Sequence, residues 1–311
     1  NYHRLMLDTY SMVELWRRRL GLPAFSPPLN QRLQAATHWL YQLTQPDTGD
    51  APNLGANDGA RLLPLSDTDY RDYRPAVQLA MALFADRCAY AGEGSWNWPL
   101  RWLNFPVPAA PAAPVGSVQF DEGGYSILRR GRAFALLRFP RFRFRPSQAD
   151  ALHVDLWVGG ENLLRDAGTY SYAAGDDVTG YFGGTVGHNT VQFDDRDPMP
   201  RLSRFLFGDW LQAESVIPVH ASVDGVTAAA GYTDGRGASH HRQIELSDHG
   251  LRVTDDVADF VHKAVLRWRL SPGDWRLEGD TVQRGDHRLR VTASVPIQRC
   301  LLTSGWESRY Y

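Results

Sequence analysis

The chain has 311 residues, of which 43% are hydrophobic and 22% are charged, and its net charge is −2. This composition is typical of globular proteins with room for two cores, and it excludes a disordered chain. Nucleic acid is not expected as a partner, because proteins that bind it concentrate basic residues on one face. Membrane insertion is not expected either, because no apolar run approaches bilayer length.

The first part of the chain carries apolar residues at helical spacing. Residues 2–20, 29–44 and about 74–90 are predicted to form three helices, and Gly21 and Pro23 end the first of them. A long loop from Gln45 to Pro64, rich in glycine, proline, asparagine and aspartate, separates the second helix from the third. We assign residues 1–104 to a helical domain that resembles the end of a larger helical array.

Strand signals dominate after a proline- and alanine-rich segment, residues 105–116, which is predicted to be an extended linker. Residues 126–138 are predicted to form two strands around Gly131, and residues 152–158 and 161–164 a second hairpin. Further short strands at regular spacing favour a large antiparallel β-sandwich over residues 117–311. The predicted fold class is therefore α+β, with more than one domain.

Positive charge comes almost entirely from arginine, since Lys263 is the only lysine. A genome rich in G and C would produce this bias without any functional cause. Alternatively, planar guanidinium groups are suited to bidentate contact with the carboxylates or sulfates of sugars.

The polar residues between Arg145 and Phe193 depart most from simple strand alternation. They contain three runs in order, A-D-x-L-H at 149–153, D-x-G-T-x-x-Y at 166–172 and H-N-T-V at 188–191. This pattern resembles the C-terminal β-sheet domain of the heparinase II/III-like family, which includes heparin, heparan sulfate and alginate lyases. Upstream, Asn1-Tyr2-His3 is similar to the start of a late helix in that family's (α/α) toroid, and residues 52–59 are similar to its polar cleft loop.

The resemblance implies the C-terminal part of an (α/α) toroid followed by a β-sandwich, and a β-elimination at a uronic acid. That reaction requires a group that neutralises the carboxylate, a base for the C5 proton and an acid for the departing O4 oxygen. Tyr2 matches the family's proton-transfer tyrosine, with His3 as a second catalytic candidate, and His3 and Arg4 are expected to place positive charge beside it. An ordinary aromatic residue at a chain end is the alternative for Tyr2. The candidates for substrate binding are Asn57, Arg145, Trp157 and Tyr172.

Many relatives also hold a structural divalent metal in the β-domain, and the resemblance implies zinc or calcium here. Asp166 and His188 match two ligand positions, and His153 is the candidate for the third. Gln148 stands where relatives usually have a histidine and is a poor zinc ligand, while Pro146 stands where the catalytic β-domain histidine often lies. The alternative is a set of buried, hydrogen-bonded polar groups that fixes the hairpins.

The leading interpretation is a lyase for an acidic polysaccharide, located in the periplasm or secreted. The alternative, favoured by Pro146 and Gln148, is a non-catalytic polysaccharide-binding or scaffold protein in exopolysaccharide handling. A glycoside hydrolase would need two facing carboxylates, whereas Asp176-Asp177 and Asp194-Asp195 are adjacent pairs that are expected to cap loops. The family's asparagine-bearing helix is expected upstream of Asn1, so we expect the chain to be a fragment that is inactive alone, of open oligomeric state.

Overall fold

The structure is a computed structural model and describes residues 1–308. Helices are the regular structure of the first third of this range, and antiparallel strands are the main regular structure of the remainder. The helices are α1 Tyr2–Arg19, α2 Pro27–Leu43, α3 Arg74–Phe84, α4 Trp98–Trp102 and α5 Asp176–Gly183, and 3₁₀ turns lie at Ser95–Asn97, Asp121–Gly123 and Thr185–Gly187. The strands are β1 Val118–Phe120, β2 Tyr125–Arg130, β3 Ala133–Arg138, β4 Val154–Val158, β5 Glu161–Leu164, β6 Val191–Phe193, β7 Arg201–Ser203, β8 Leu206–Phe207, β9 Glu214–Ala221, β10 Val226–Thr233, β11 Ser239–Ser247, β12 Gly250–Ala258, β13 Ala264–Leu266, β14 Arg276–Glu278, β15 Thr281–Arg284 and β16 His287–Arg290.

The three predicted helices are confirmed, with shifted ends. Helix α2 begins two residues before the predicted start, at Pro27. Proline is tolerated there because it lacks a backbone N–H, and the N–H groups of the first helical turn have no partner within the helix. Helix α3 ends at Phe84 rather than near residue 90, since Asp86 adopts a positive φ of 52° that a helix cannot contain.

The helical core comes from the apolar faces of α1, α2 and α3. It includes Leu7 and Leu15 from α1, Leu33 from α2 and Val77 and Leu83 from α3, each at most 5% exposed. Burial of one such side chain contributes about 1.5–3 kcal/mol relative to exposure, so packing rather than helix propensity holds these segments together. Among the described residues, no helix is long and apolar enough to cross a membrane.

Two antiparallel sheets contain most of the strand residues that the structure describes. One has the strand order β1-β2-β3-β4-β5 and the other the order β12-β11-β10-β9. Their facing sides share one core, in which Leu137 and Val154 of the first sheet join Ile244 and Leu246 of the second. The α+β class with antiparallel sheets is confirmed, while the toroid and the β-sandwich stay predictions.

The other face of the five-stranded sheet packs on the helical part. Ile127, Phe134, Leu136 and Trp157 form a cluster there with Leu43 at the end of α2. Side chains on both faces of β2 and β3 are therefore buried, which explains why these strands do not alternate between apolar and polar residues.

The segment between Trp102 and β1 is extended and lies against the helices. The backbone of Cys88 exchanges hydrogen bonds of 2.8 Å with Ala110 and Ala112, and the Tyr41 hydroxyl donates to the carbonyl of Ala113 at 3.0 Å. These contacts join the segment to the helical core along its length.

Two local predictions between 150 and 185 are wrong. The strand predicted from Leu152 begins at Val154, because Leu152 has a φ of 57° outside the strand region. Asp176 and Asp177 do not cap a loop but occupy the first turn of α5, where carboxylates interact favourably with the positive end of the helix dipole.

Candidate active site

Tyr2 and Tyr172 meet where the helical part contacts the β-sheet part. Tyr2 is the first residue of α1, and its hydroxyl donates to Asp58 Oδ2 at 2.8 Å and lies 3.0 Å from the Tyr172 hydroxyl. Tyr172 belongs to the loop between β5 and α5. Both tyrosines are predicted site residues, and the structure brings them together.

Asp58 is a site residue that the sequence analysis does not single out. Although burial alone raises the pKa of Asp58, hydrogen bonds from the Ala60 N–H and the Tyr2 hydroxyl lower it below its ordinary value. The carboxylate is therefore ionised at neutral pH and accepts the Tyr2 proton in a hydrogen bond. The sequence signal that could have identified it is its place in the polar cleft loop, in Asn57-Asp58-Gly59.

A cavity of about 110 Å³ opens beside Tyr2. The start of α1, the end of α2, the loop of residues 51–57 and the D-x-G-T run line it. Gly168 of that run has a φ of +89°, and a Cβ there would lie 1.8 Å from the Ser308 carbonyl oxygen. Only glycine fits this point of the cavity wall.

Asn57 is held with a fixed orientation in the cavity wall. Its backbone N–H donates to Thr169 Oγ1 at 3.0 Å, and its side-chain Oδ1 accepts from the Tyr70 hydroxyl and the Gly59 N–H, both at 2.9 Å. Since the oxygen accepts two hydrogen bonds, the amide nitrogen is the polar group of this side chain that is left for a further contact.

Arg71 shapes the same loop. It is 8% exposed, and its guanidinium donates to Asp50, Asn53 and the carbonyl of Ala51. A buried arginine with this many acceptors fixes the backbone that forms the cavity floor.

The side chains of His3 and Arg4, expected to place positive charge beside the Tyr2 hydroxyl, contact backbone carbonyls and aromatic rings. His3 lines the cavity, with Nε2 2.7 Å from the Ala36 carbonyl and its ring 4.5 Å from that of Trp39. Burial lowers the pKa of His3 below 6.5, so the ring is neutral at pH 7. The Arg4 guanidinium packs over the rings of Tyr70 and Tyr73, at 4.4 and 4.7 Å, and donates to the Tyr70 carbonyl.

Asp166 and His188 form a buried pair below the cavity. His188 Nε2 lies 3.0 Å from Asp166 Oδ2, and Nδ1 lies 2.8 Å from the Gly184 carbonyl. Burial alone lowers the pKa of His188, but the Asp166 carboxylate outweighs this effect and raises it. Nδ1 thus has a hydrogen-bond partner, whereas Nε2 lies close to the Asp166 carboxylate without the geometry of a hydrogen bond.

His153 packs edge-on against His188, at 5.5 Å between ring centroids, but it is engaged elsewhere. Its Nδ1 accepts the backbone N–H of Asn189 at 3.0 Å, and its Nε2 lies 3.8 Å from Asp155 Oδ2. Within residues 1–308, no three histidine, cysteine, aspartate or glutamate side chains are placed to hold a metal ion together. The Asp166–His188–His153 set is thus close in space without the geometry of a ligand set.

Gln148 and Pro146 lie in the same buried region. The Gln148 amide nitrogen lies 3.4 Å from the carbonyls of both Gly168 and Phe182. It therefore joins the A-D-x-L-H run to the D-x-G-T run, and Pro146 is likewise buried.

Three of the four predicted substrate-binding residues, Tyr172, Trp157 and Arg145, are not among the residues that line this cavity within residues 1–308. Trp157 is 1% exposed in the cluster between the five-stranded sheet and α2, where its indole donates to Asp155. A side chain packed on every side offers no open face to a ligand, and a role of Trp157 in substrate binding stays a prediction. Arg145 is exposed on the surface and donates to the carbonyl of Phe205 at 3.0 Å.

Comparison with known proteins gives a consistent result. A family model described as "Heparinase II/III-like, C-terminal" matches residues 112–302, more than half of the chain. No curated protein matches the sequence.

Solved structures show the same fold. Heparan sulfate lyase HepC from Pedobacter heparinus matches with a TM-score of 0.64 and 16% identity, over 90% of this chain and 41% of that one. A structure of heparinase III matches with a TM-score of 0.61 and 14% identity, over 90% of this chain and 43% of that one. The chain therefore spans about two fifths of the length of these proteins.

Proposed function

The chain belongs to the heparinase II/III-like family, and on that basis we propose that it cleaves a uronate-containing polysaccharide by β-elimination. The reaction would take place in the cavity between the helical part and the strands. The observation that carries the proposal is the position of the Tyr2 hydroxyl, between the Asp58 carboxylate and the Tyr172 hydroxyl at the edge of that cavity.

In this proposal Asn57, His3 and Tyr2 divide the three chemical tasks. The Asn57 amide nitrogen donates to the uronate carboxylate, which makes the C5 proton more acidic. The neutral His3 ring, with Nε2 occupied by the Ala36 carbonyl, accepts that proton at Nδ1. The C5–H electrons form the C4–C5 double bond, the C4–O4 bond breaks, and the Tyr2 hydroxyl protonates the leaving O4 oxygen.

A matched pair of tyrosine variants tests this proposal. Tyr2→Phe removes one hydroxyl, and we expect it to lower the rate of unsaturated-product formation on alginate or heparan sulfate by about 10²–10⁴-fold, the usual contribution of a general acid or base. Tyr10→Phe, in the same helix, is the control and should retain activity. The assay follows the ultraviolet absorbance of the unsaturated uronate, with the intact protein as its gene encodes it. An active Tyr2→Phe enzyme would remove Tyr2 from the mechanism.

Polysaccharide binding without turnover is the second candidate function. It is supported by Pro146 and Gln148, which stand where relatives usually have histidines, and by the contacts of Gln148 to backbone carbonyls alone. Measurable binding of uronate polymers by a wild-type protein that yields no unsaturated product would establish this candidate. Release of reducing ends without unsaturated product would instead indicate hydrolysis.

We also propose Asp166 and His188 as the residues that would hold a divalent metal ion, if the family's metal is retained. The two side chains are 3.0 Å apart, and within residues 1–308 no third histidine, cysteine, aspartate or glutamate is placed to complete a ligand set with them. Metal analysis of wild type and His188→Ala tests this, since equal metal content would remove His188 as a ligand. We propose a periplasmic or secreted location, because the polymer lies outside the cytoplasm, and cell fractionation tests it.

A further inference from the structure

An exposed cluster of aromatic and basic residues borders Tyr172 outside the cavity. It consists of Phe144, Arg145, Arg204 and Phe205, and we refer to these four residues as the rim. Phe144 is 76% exposed and Phe205 is 38% exposed, and the Arg145 guanidinium carbon lies 5.8 Å from the centroid of each ring. Neighbouring exposed aromatic rings are uncommon on a protein surface without a ligand or partner.

The rim carries positive charge that the protein does not neutralise. The neighbouring Arg141 and Arg143 form ion pairs with Asp121 and Glu122. Arg145 and Arg204, in contrast, form none with any residue in the described range 1–308. The hydrogen bond from Arg145 Nη1 to the Phe205 carbonyl holds the guanidinium between the two phenyl rings. An anion would therefore meet an oriented and uncompensated cation here.

The rim is continuous with the proposed active site. Phe205 packs edge-on against Tyr172 at 5.1 Å, and the Tyr172 hydroxyl lies 3.0 Å from that of Tyr2. On the other side, Ser147 Oγ accepts the backbone N–H of Ala56, a residue of the cavity wall, at 3.3 Å. A polymer that leaves the cavity past Tyr172 would pass directly over the rim.

We propose that the rim is an outer subsite for an anionic sugar residue of the polymer bound in the cavity. The phenyl rings of Phe144 and Phe205 contact the apolar face of the sugar ring, and Arg145 binds its carboxylate or sulfate with two parallel hydrogen bonds. This subsite rests on the proposed function, because the same polymer chain must occupy the cavity.

The test compares binding of long and short ligands by rim variants. Arg145→Gln and Phe144→Ala should each weaken binding of alginate or heparan sulfate polymer by about three- to tenfold, the range of a modest subsite contact. Arg145→Gln should also reduce the dependence of affinity on salt, because it removes a charge contact, whereas Phe144→Ala should not. A disaccharide that fills only the cavity should bind equally well to all variants.

The Trp98–Arg101 pair provides the control. It is an exposed aromatic–arginine pair, at 5.4 Å, in the helical part, so Arg101→Gln and Trp98→Ala should leave polymer affinity unchanged. If Arg145→Gln weakens the binding of alginate, the recognised group is a carboxylate. If it weakens the binding of heparan sulfate alone, the recognised group is a sulfate.

The outcomes separate the subsite from the proposed reaction. If the wild type forms unsaturated product but both rim variants bind polymer like the wild type, the subsite is refuted and the lyase function stands. If no product forms but the rim variants lose polymer affinity, the lyase function fails and the subsite stands.

Discussion

Arg242 is the buried charge that joins the two loops carrying the family signature. It is fully buried on β11, and its Nε and Nη2 bind the two oxygens of Asp255 at 2.6 and 2.9 Å. Its Nη1 donates to the carbonyls of Leu152 and Asn189, at 2.7 and 2.6 Å. Leu152 has a positive φ, which is unfavourable for a leucine, so the hydrogen bond at its carbonyl helps to hold this conformation. We predict that Arg242→Met strongly destabilises the fold.

The expected loss is roughly 3–5 kcal/mol at pH 7, since removing one partner of a buried ion pair leaves the other charge uncompensated. The two carbonyls that lose their donor add to this cost, and the methionine side chain offsets part of it by packing in the same space. A domain of this kind has about 5–15 kcal/mol of stability in total, so the variant would be marginally folded.

The same contact predicts a pH dependence. Although burial raises the pKa of Asp255, Arg242 and His240 together hold it well below its usual range. A carboxyl with a depressed folded pKa contributes stability above its unfolded pKa, near 4, and this contribution is lost as the pH falls further. The wild type should therefore lose stability below about pH 4. Arg242→Met should lose less over that interval.

Urea unfolding followed by tryptophan fluorescence, at pH 7 and at pH 3.5, measures both effects. Arg143→Met is the control, because Arg143 forms an exposed ion pair with Glu122 and should change stability by less than about 1 kcal/mol. If Arg242→Met cannot be purified in folded form, Arg242→Lys retains the charge and should show a smaller loss. A loss in Arg242→Met equal to that of the control would refute the assigned role.

Three further predictions concern single side chains. Asp8 is 4% exposed, and burial raises its pKa to about 7. Its contribution to the free energy of unfolding should therefore fall as the pH rises from about 4 to 7, by up to about 1.4 kcal/mol per pH unit. In urea titrations at several pH values, Asp8→Asn should lack this decline. Gly168→Ala should lower the free energy of unfolding by about 2–4 kcal/mol in thermal unfolding, because backbone strain adds to a clash with Ser308. Gly21→Ala is its control and should cost only about 1 kcal/mol, because Gly21 has a positive φ but open space around it. Trp157→Phe should lower the unfolding temperature but leave the KM for a uronate polymer unchanged, and a raised KM would return Trp157 to the substrate site.

The helices could be predicted because their apolar residues recur at helical spacing, and the hairpin of β2 and β3 because Gly131 interrupts a run of strand-forming residues. The burial of Trp157 shows the limit of this reasoning. A signature run identifies a strand but not which of its faces meets the ligand, and here both faces of the sheet are covered. The polar alternation that would have distinguished an open face from a buried one is therefore missing.

Some residues of the candidate site were predictable, but their geometry was not. Tyr2 and Tyr172 are 170 residues apart in sequence, and their contact depends on how α1 is carried to the sheet by packing elsewhere. Asp58 lies inside a loop that the sequence marks as polar, yet only the fold shows that its carboxylate accepts from Tyr2. Propensity and motif spacing describe each segment by itself, whereas these contacts arise from the docking of two parts.

That docking also limits how a polymer can enter the site. Ile127, Leu136 and Trp157 on the sheet are at most 1% exposed against Leu43 of α2, so separating the helical part from the sheet would expose a close-packed core. At the edge of this core, hydrogen bonds join the loop of residues 51–58 to Thr169, and Tyr2 binds both Asp58 and Tyr172. The hydroxyl that we propose as the acid is therefore held at this edge by hydrogen bonds, outside the close-packed core that fixes the two parts.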